Sequence, residues 1–370
     1  MLRSWFDHVL PARVRYGRAL AEHHAGRARS AFRSVRAEPP SGLDAPPLSI
    51  FFWTPHPWPS TDIHVGRVLP HLRALVSALG LPWRVGSGAD LPREAVDWLL
   101  CMKAIPPSRP YAVERTVLMI NDDADRIWHG LARFDHVVSV SSPVLASLIA
   151  GAHPRVWFIE ESEADDAIAQ GKQALKQQPP SQRKPLLLWN GTKESLEGLL
   201  PLREVLEAFA TETGARLSIV TNRPEGSEQW GALPVRHFAW SPQVLVEQAA
   251  QARTGIVPAR PTVADSYLKS AGRLRCFYAL GCPGIGDARS PDVAAFSNAC
   301  DIPSAASPAE WLTALRQLWS DPVRLDAAAT RGHALVSERF AASRTARQWL
   351  WFFANAERES AAVSAEASAL

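Results

Sequence analysis

Long apolar runs are absent from this chain: nowhere in its 370 residues do about 18 consecutive apolar side chains occur, the least that a bilayer-spanning helix needs. The first 36 residues hold no continuous apolar stretch followed by a small-residue cleavage site, so they do not read as a secretory signal. A cytoplasmic protein is expected. Cysteine is scarce. Cys101, Cys276, Cys282 and Cys300 are scattered, with no CxxC pair and no histidine at ligand spacing. That excludes a zinc finger or a disulfide framework, and no metal site is expected. Excess charge is small as well: 40 Lys and Arg stand against 37 Asp and Glu, a net charge of +3. Basic residues are not interleaved with aromatics as in a single-strand groove, so nucleic acid is not an expected partner.

What is present fits a two-domain enzyme. A hydrophobic share of 46% and a charged share of 21% are globular values, and 370 residues exceed one ordinary α/β domain but suit two. The basic residues crowd the start. Arg3, Arg13, Arg15, Arg18, Arg27, Arg29, Arg33 and Arg36 are mixed with Leu2, Trp5, Phe6, Val9 and Leu10 at roughly helical spacing. Two readings stay open there: a helix lying on an anionic membrane surface, peripheral at the inner face, or a basic helix packed on its own domain.

Residues 1–45 form this basic helical segment and a linker, closed by the helix-breaking EPPSGLDAPP. Short apolar runs at 48–53, 98–102, 117–120, 137–140 and 156–159 alternate with helical patterns and define a Rossmann-like domain over 46–165. The stretch ADDAIAQGKQALKQQPPSQRKP is polar, lacks strands and ends in prolines, so 166–185 reads as a hinge linker. A second series restarts with runs at 186–189, 217–220, 235–238 and 255–257 and gives a second Rossmann-like domain over 186–340. SRTARQWLWFFANAE predicts a helix over 341–358 that packs back towards the N-terminal domain, with Trp349, Trp351, Phe352 and Phe353 as packing anchors. The Ala/Ser/Glu stretch 359–370 reads as a flexible tail. The fold class is α/β, two doubly wound domains facing across a cleft, with ligands beyond the carboxyl ends of the strands. No signal of oligomeric state is present.

Residues 265–296, DSYLKSAGRLRCFYALGCPGIGDARSPDVAAF, carry the chemistry. On a helix, Lys269 and Arg273 lie one turn apart on one face near its start, where backbone N–H groups also favour anions. A pyrophosphate suits such a place. It brings negative charge and gains more on the leaving oxygen as a glycosidic bond breaks. Ser270 adds a hydroxyl, and Gly272 permits close approach at a helix-interior cost of roughly 1 kcal/mol.

These residues resemble the donor-site segment of GT-B glycosyltransferases of the family-four-like group. More narrowly, they are similar to bacterial surface-polysaccharide transferases with a KSxNR-type helix followed by a small-residue GxPV strand. LLLWNGTKESL, ARLSIVTNRPE and VRHFAWSP resemble the first strand with its glycine turn, the second strand and the base-pocket segment of the C-terminal half. The resemblance covers residues 185–321, and 48–161 in outline. It implies an acceptor domain over 46–165 and a donor-binding domain over 186–340. Lys269 and Arg273 would bind the donor diphosphate as the catalytic cations, with Ser270 and Gly272 beside them. Asn190 and Gly191 would face the phosphates or sugar, and the backbone around Phe238 and Trp240 the base. The implied activity is transfer of a sugar, with retention, from a nucleotide diphosphate donor to a hydroxyl of a cell-surface polysaccharide or lipid-linked acceptor. The nucleotide sugar and the glycan acceptor are thus the implied partners, and no tightly bound cofactor is expected.

Three departures accompany the match. Gly272 stands where the pattern has Asn, Leu268 and Cys276 stand where the wider group carries a Glu-x7-Glu pair, and GCPGI replaces GxPV. The missing carboxylates keep open a second reading, a non-catalytic nucleotide-sugar or glycan-binding relative that acts as a scaffold. Asp123 and Asp125 resemble the metal-binding DxD of GT-A enzymes, but two aspartates after a strand also serve as a helix cap and first-turn charge. On the acceptor side the candidates are His56, His64, Arg67 and Asp122, mounted at the carboxyl ends of strands. A histidine there could act as general base or simply cap a turn. Trp58 and Trp240 flank loops and suit stacking on a sugar or base, whereas Trp53 suits the core.

Overall fold

The computed structural model describes residues 32–37, 46–108, 112–121, 128–260 and 268–369. The basic segment 1–31 lies outside them. The chain divides into two compact units, 1–162 with 342–370, and 163–341.

In the first unit the strands are β1 (Arg33–Ser34), β2 (Leu48–Trp53), β3 (Trp83–Gly88), β4 (Val96–Met102), β5 (Val113–Ile120), β6 (His136–Ser139) and β7 (Val156–Phe158). Among the described residues they form a seven-stranded sheet in the order β1-β7-β6-β5-β4-β2-β3, with every pair parallel. Consecutive residues of β4 and β5 are buried, as in Leu99, Leu100, Val117 and Leu118. Both faces of the sheet are therefore covered, which is why these strands read as apolar runs rather than alternations. Helices α1 (Leu69–Ala78) and α2 (Pro143–Ala150) follow β2 and β6. Ser142 caps α2, its Oγ accepting from Leu145 N at 3.2 Å, with Pro143 at the first helical position.

The C-terminal helix, Ala342–Ala369, completes this unit. Trp349, Phe352 and Phe353 join Phe52, Trp83, Trp98 and Trp157 in one core, mostly edge to face, with Phe52–Trp349 centroids 5.6 Å apart and Trp157–Phe352 centroids 5.4 Å apart. Each ring contributes roughly 2–3 kcal/mol by burial. Gln348 fixes the register: its Oε1 accepts from Glu160 N at 3.2 Å and its Nε2 donates to Val35 O at 3.1 Å. The helix continues to Ala369, so 359–369 is helical rather than the tail expected from its composition. Its alanines and glutamates are strong helix formers.

In the second unit the strands are β8 (Lys184–Asn190), β9 (Arg216–Thr221), β10 (Gly226–Trp230), β11 (Leu233–Ala239), β12 (Ala252–Val257) and β13 (Gly284–Gly286). Their order is β10-β11-β9-β8-β12-β13. All pairs are parallel except β10 with β11, where Gly231 turns the chain at a φ of 50°. The helices are α3 (Asp165–Gln177), α4 (Arg203–Thr213), α5 (Pro242–Gln251), α6 (Gly272–Ala279), α7 (Pro291–Cys300), α8 (Pro308–Ser320) and α9 (Pro322–Arg339).

Helix α3 corrects the sequence reading of 166–185 as a linker. Its Ala, Gln and Lys residues are good helix formers, and the polar side chains are the solvent face of an amphipathic helix that buries Ile168 and Gly171. Gly171 lies so close to the backbone of Leu280 and Gly281 that a Cβ there would stand 2.7 Å from Leu280 C and from Gly281 N.

Each sheet reverses its winding once. In the first unit the chain places β3 on one side of β2 and then β4 on the other; in the second, β9 and β12 flank β8. The reversals fall at β2/β4 and β8/β12, and a doubly wound sheet opens a crevice at the carboxyl ends of such a pair.

Candidate functional site

The second reversal point brings together three of the buried polar atoms that have no hydrogen-bond partner among the described residues. β8 ends at Asn190 and Gly191, β12 runs out through Pro258 and Ala259 to Arg260, and α6 begins with Arg273 in its first turn. Arg273 Nη2 donates to Pro258 O at 3.3 Å, while its Nη1 is buried with no hydrogen-bond partner in the protein. Arg260 Nη2 pairs with Glu197 Oε2 at 3.2 Å, and its Nε is likewise buried and unpartnered. Asn190 Oδ1 is a third such atom. Buried groups of this kind are rare, and each calls for an explanation. Two cationic donors match phosphate oxygens, and a lone amide oxygen matches a hydroxyl.

Glycine shapes the approach. A Cβ on Gly191 would come within 3.3 Å of Arg273 Nη1 and 2.9 Å of the Trp189 ring, so only a bare backbone lets the end of β8 lie beside the guanidinium. The loop after β12 is held from below by buried Asp287. Its Oδ2 accepts from Ala259 N at 3.2 Å, and Arg289 clasps both its oxygens at 2.9 and 2.6 Å.

Removal from water pushes the Arg273 guanidinium down to about 10, and the nearby charge of Arg260 pushes the same way. It remains a cation at neutral pH. Two like charges facing one place are mutually unfavourable, and an anion would relieve both.

Lys269 does not share a helix face with Arg273. The helix begins at Gly272, and Lys269 lies in an exposed turn before it, where Ser290 Oγ donates to its carbonyl at 3.3 Å. The reason is capping. Asp292 Oδ2 accepts from Ala271 N at 2.6 Å and Ser270 Oγ from Gly272 N at 3.2 Å, which starts the helix three residues later than Lys269. Gly272 is accordingly a first-turn residue and carries no helix-interior cost. Ser270 spends its oxygen on this cap. Phe238 and Trp240 stand at the end of β11, where Arg236 covers the Phe238 ring at 4.7 Å and Trp240 is 53% exposed. Trp240 N donates to Thr221 O at 2.9 Å, which ties it to the end of β9.

The first unit's candidates follow β2. His64 is buried with Nε2 4.0 Å from Glu161 Oε1, and Arg67 reaches Asp62 Oδ2 and Ser162 O, both at 3.3 Å. Ser162 Oγ donates to Ile63 O at 3.0 Å, so these side chains anchor the loop to the segment after β7. His56 is exposed and lies against Trp58, ring centroids 4.5 Å apart. Asp122, Asp123 and Asp125 lie outside the described residues. Arg260 and Glu197 were not legible as site residues, because only the adjacency of β12 to β8 gives them meaning.

No protein-family model and no curated protein sequence matches the chain. Solved structures do. A glycosyltransferase from Rickettsia africae ESF-5 is similar at a TM-score of 0.56 and 11% identity over 84% of this chain and 99% of that one. An alpha-glucosyltransferase in complex with UDP and a 13-mer DNA containing a HMU base gives 0.53 and 12% over 80% and 97%. WaaG, a glycosyltransferase involved in lipopolysaccharide biosynthesis, gives 0.51 and 13% over 82% and 99%. At such identities the likeness speaks to fold, and the fold is the GT-B architecture of glycosyltransferases. Among the described residues no helix is long and apolar enough to cross a membrane.

Proposed function

We propose that the protein is a glycosyltransferase that moves a sugar from a nucleotide diphosphate donor to an acceptor hydroxyl. The observation that carries this reading is the unpartnered Arg273 Nη1 beside Gly191, with Arg260 acting on the same guanidinium. In the step proposed, the bond from the sugar C1 to the diphosphate oxygen breaks and its electron pair stays on the diphosphate. The acceptor oxygen bonds to C1 and its proton is released. Arg273 and Arg260 stabilise the charge that develops on the leaving oxygens, a contribution that grows in a site shielded from water. Asn190 Oδ1 accepts from a sugar hydroxyl and holds the ring in place. Trp240 offers an exposed face to the base. Lys269, on its exposed turn, belongs to the rim rather than the centre.

Two of the structures similar in fold were solved with UDP, the alpha-glucosyltransferase and Anabaena Alr3699/HepE, the latter at a TM-score of 0.51. That supports a uridine nucleotide as the first donor to try. Retention, and a cell-surface polysaccharide or lipid-linked acceptor, extend the proposal along the resemblance of residues 185–321. Calorimetric titration with UDP tests it directly: binding by the full chain that is weakened about a hundredfold in Arg273→Ala is the expected result, and no binding of any nucleotide diphosphate would overturn it. Product NMR reads out the anomeric configuration. Salt-sensitive binding to anionic vesicles, lost on deletion of residues 1–36, is expected if the basic segment meets a membrane.

A second reading, the non-catalytic scaffold, rests on Leu268 and Cys276 at the positions where the wider group has carboxylates. Leu268 is buried and can make no polar contact with a sugar. Nucleotide binding without donor hydrolysis or transfer would favour that reading.

A further inference from the structure

In the first unit β2, β4 and β5 lie side by side, and the chain leaving their carboxyl ends carries a buried amide oxygen and an exposed aromatic pair. β5 ends at Ile120, whose carbonyl accepts from Val140 N at 2.8 Å. Asn121 follows. Its Oδ1 is buried, and among the described residues it has no hydrogen-bond partner. An orphaned acceptor of this kind is unfavourable in the unliganded protein and is relieved by a ligand that donates to it. The chain leaves β2 through His56 and Trp58. Trp58 N and Thr61 Oγ1 both donate to His56 O, at 2.9 and 2.8 Å, so this turn is set before any ligand arrives. The two rings meet at 4.5 Å with a 36° tilt. Both residues are exposed, Trp58 by 37%. The turn after β4 joins the two features. Lys103 N donates to Met119 O at 3.0 Å, two residues before Asn121, and its Nζ lies on the Trp58 indole, 5.1 Å from the ring centroid. Its φ of 52° is one that a long side chain seldom enters. Lys103 is thus a strut between Trp58 and the end of β5, and the amide oxygen and the aromatic pair flank a single turn.

We propose that Asn121, Trp58 and His56 form a subsite for a neutral glycosyl unit, the sugar that presents the acceptor hydroxyl. The inference rests on the transferase reading above. The groups themselves select the class. Aromatic rings pack against the C–H face of a pyranose, and an amide oxygen accepts from a hydroxyl but repels a carboxylate or a phosphate. The Lys103 ammonium is committed to the indole.

Saturation-transfer NMR on the full chain tests it, with methyl α-D-glucopyranoside and methyl β-D-galactopyranoside as neutral probes and glucuronic acid as the anionic one. The expected result is transfer to the ring C–H protons of at least one neutral glycoside, and at least about fivefold less to glucuronic acid. Trp58→Ala should cut the neutral signal at least about fivefold with little change in Tm, because the indole is exposed. Asn121→Leu keeps the shape and removes the orphaned oxygen, so it should cut the signal equally while leaving Tm unchanged or higher. A residue needed only for the fold would lower Tm when lost. No transfer to either glycoside, glucuronic acid matching them, a smaller fall in either variant, or an Asn121→Leu loss that comes with a lowered Tm overturns the subsite. UDP binding by the unsubstituted chain is measured alongside: if it holds while the glycosides fail, the subsite alone fails, and if it is missing, the transferase reading fails.

Discussion

Gly191 and Arg273 approach so closely that one methyl group would part them: a Cβ on Gly191 would sit 3.3 Å from Arg273 Nη1 and 2.9 Å from the ring of Trp189. Trp189 is fully buried and cannot retreat. The added carbon must therefore push outward, into the space that a phosphate needs. Gly191→Ala is expected to weaken UDP binding about tenfold, or about 1.4 kcal/mol, with a modest fall in Tm. Calorimetric titration checks it, and unchanged affinity would mean that no ligand comes near the end of β8.

Arg273 costs the fold something. Its proton is held less tightly in the folded state, at about 10, than in an unfolded chain, chiefly because the guanidinium has left water. Below that value both states carry the charge, and the folded one bears the penalty in full; the penalty fades only as pH rises through 10 towards the unfolded value. Arg273→Met is expected to raise stability at neutral pH by about 1–3 kcal/mol while abolishing UDP binding. Thermal melts with and without UDP check both halves, since bound nucleotide should raise Tm in the unsubstituted protein only.

Arg260 and Glu197 form the adjustable part of the site. Their 3.2 Å contact holds one face of the Arg260 guanidinium and leaves Nε without a protein partner. Arg260→Ala is expected to weaken UDP roughly tenfold and Glu197→Gln by less. Because Arg260 and Arg273 would grip one diphosphate, the Arg260→Ala, Arg273→Ala pair should fall short of the sum of the single losses. Additive losses in titration would place the two arginines on separate ligands.

Much of this was legible in the sequence, and what was not has physical causes. β4, β5, β8 and β12 are buried on both faces, so they announce themselves as apolar runs. Asn190, Gly191 and Arg273 stand out in the sequence as candidates, and the fold brings them together at β8/β12. Arg260 follows a strand with no periodicity to mark it, and gains its role only because β12 lies beside β8. The start of α6 is not legible locally because the contact that fixes it, Asp292 Oδ2 on Ala271 N, comes from 21 residues downstream. Lys103 has no sequence signal for its left-handed backbone, since glycine or asparagine is the usual occupant. Composition also misled at 166–185, where a polar solvent face concealed a packed helix.

That helix offers a test independent of any ligand. Gly171 lies in the middle of α3, and by helix propensity alone Gly171→Ala should stabilise the protein by up to about 1 kcal/mol. The packing says the opposite. A Cβ at this position would overlap Ala279 O and would stand 2.7 Å from Leu280 C and Gly281 N, all of them backbone atoms with no side-chain freedom to move aside. Gly281 itself sits at a φ of 69° and its O accepts from Arg183 Nη1 at 2.9 Å, so the turn that ends α6 is held in place. Separating α3 from that turn should cost about 2–4 kcal/mol net. Denaturant unfolding of Gly171→Ala checks the figure; a variant as stable as its parent, or more so, would show that 165–177 does not pack on α6.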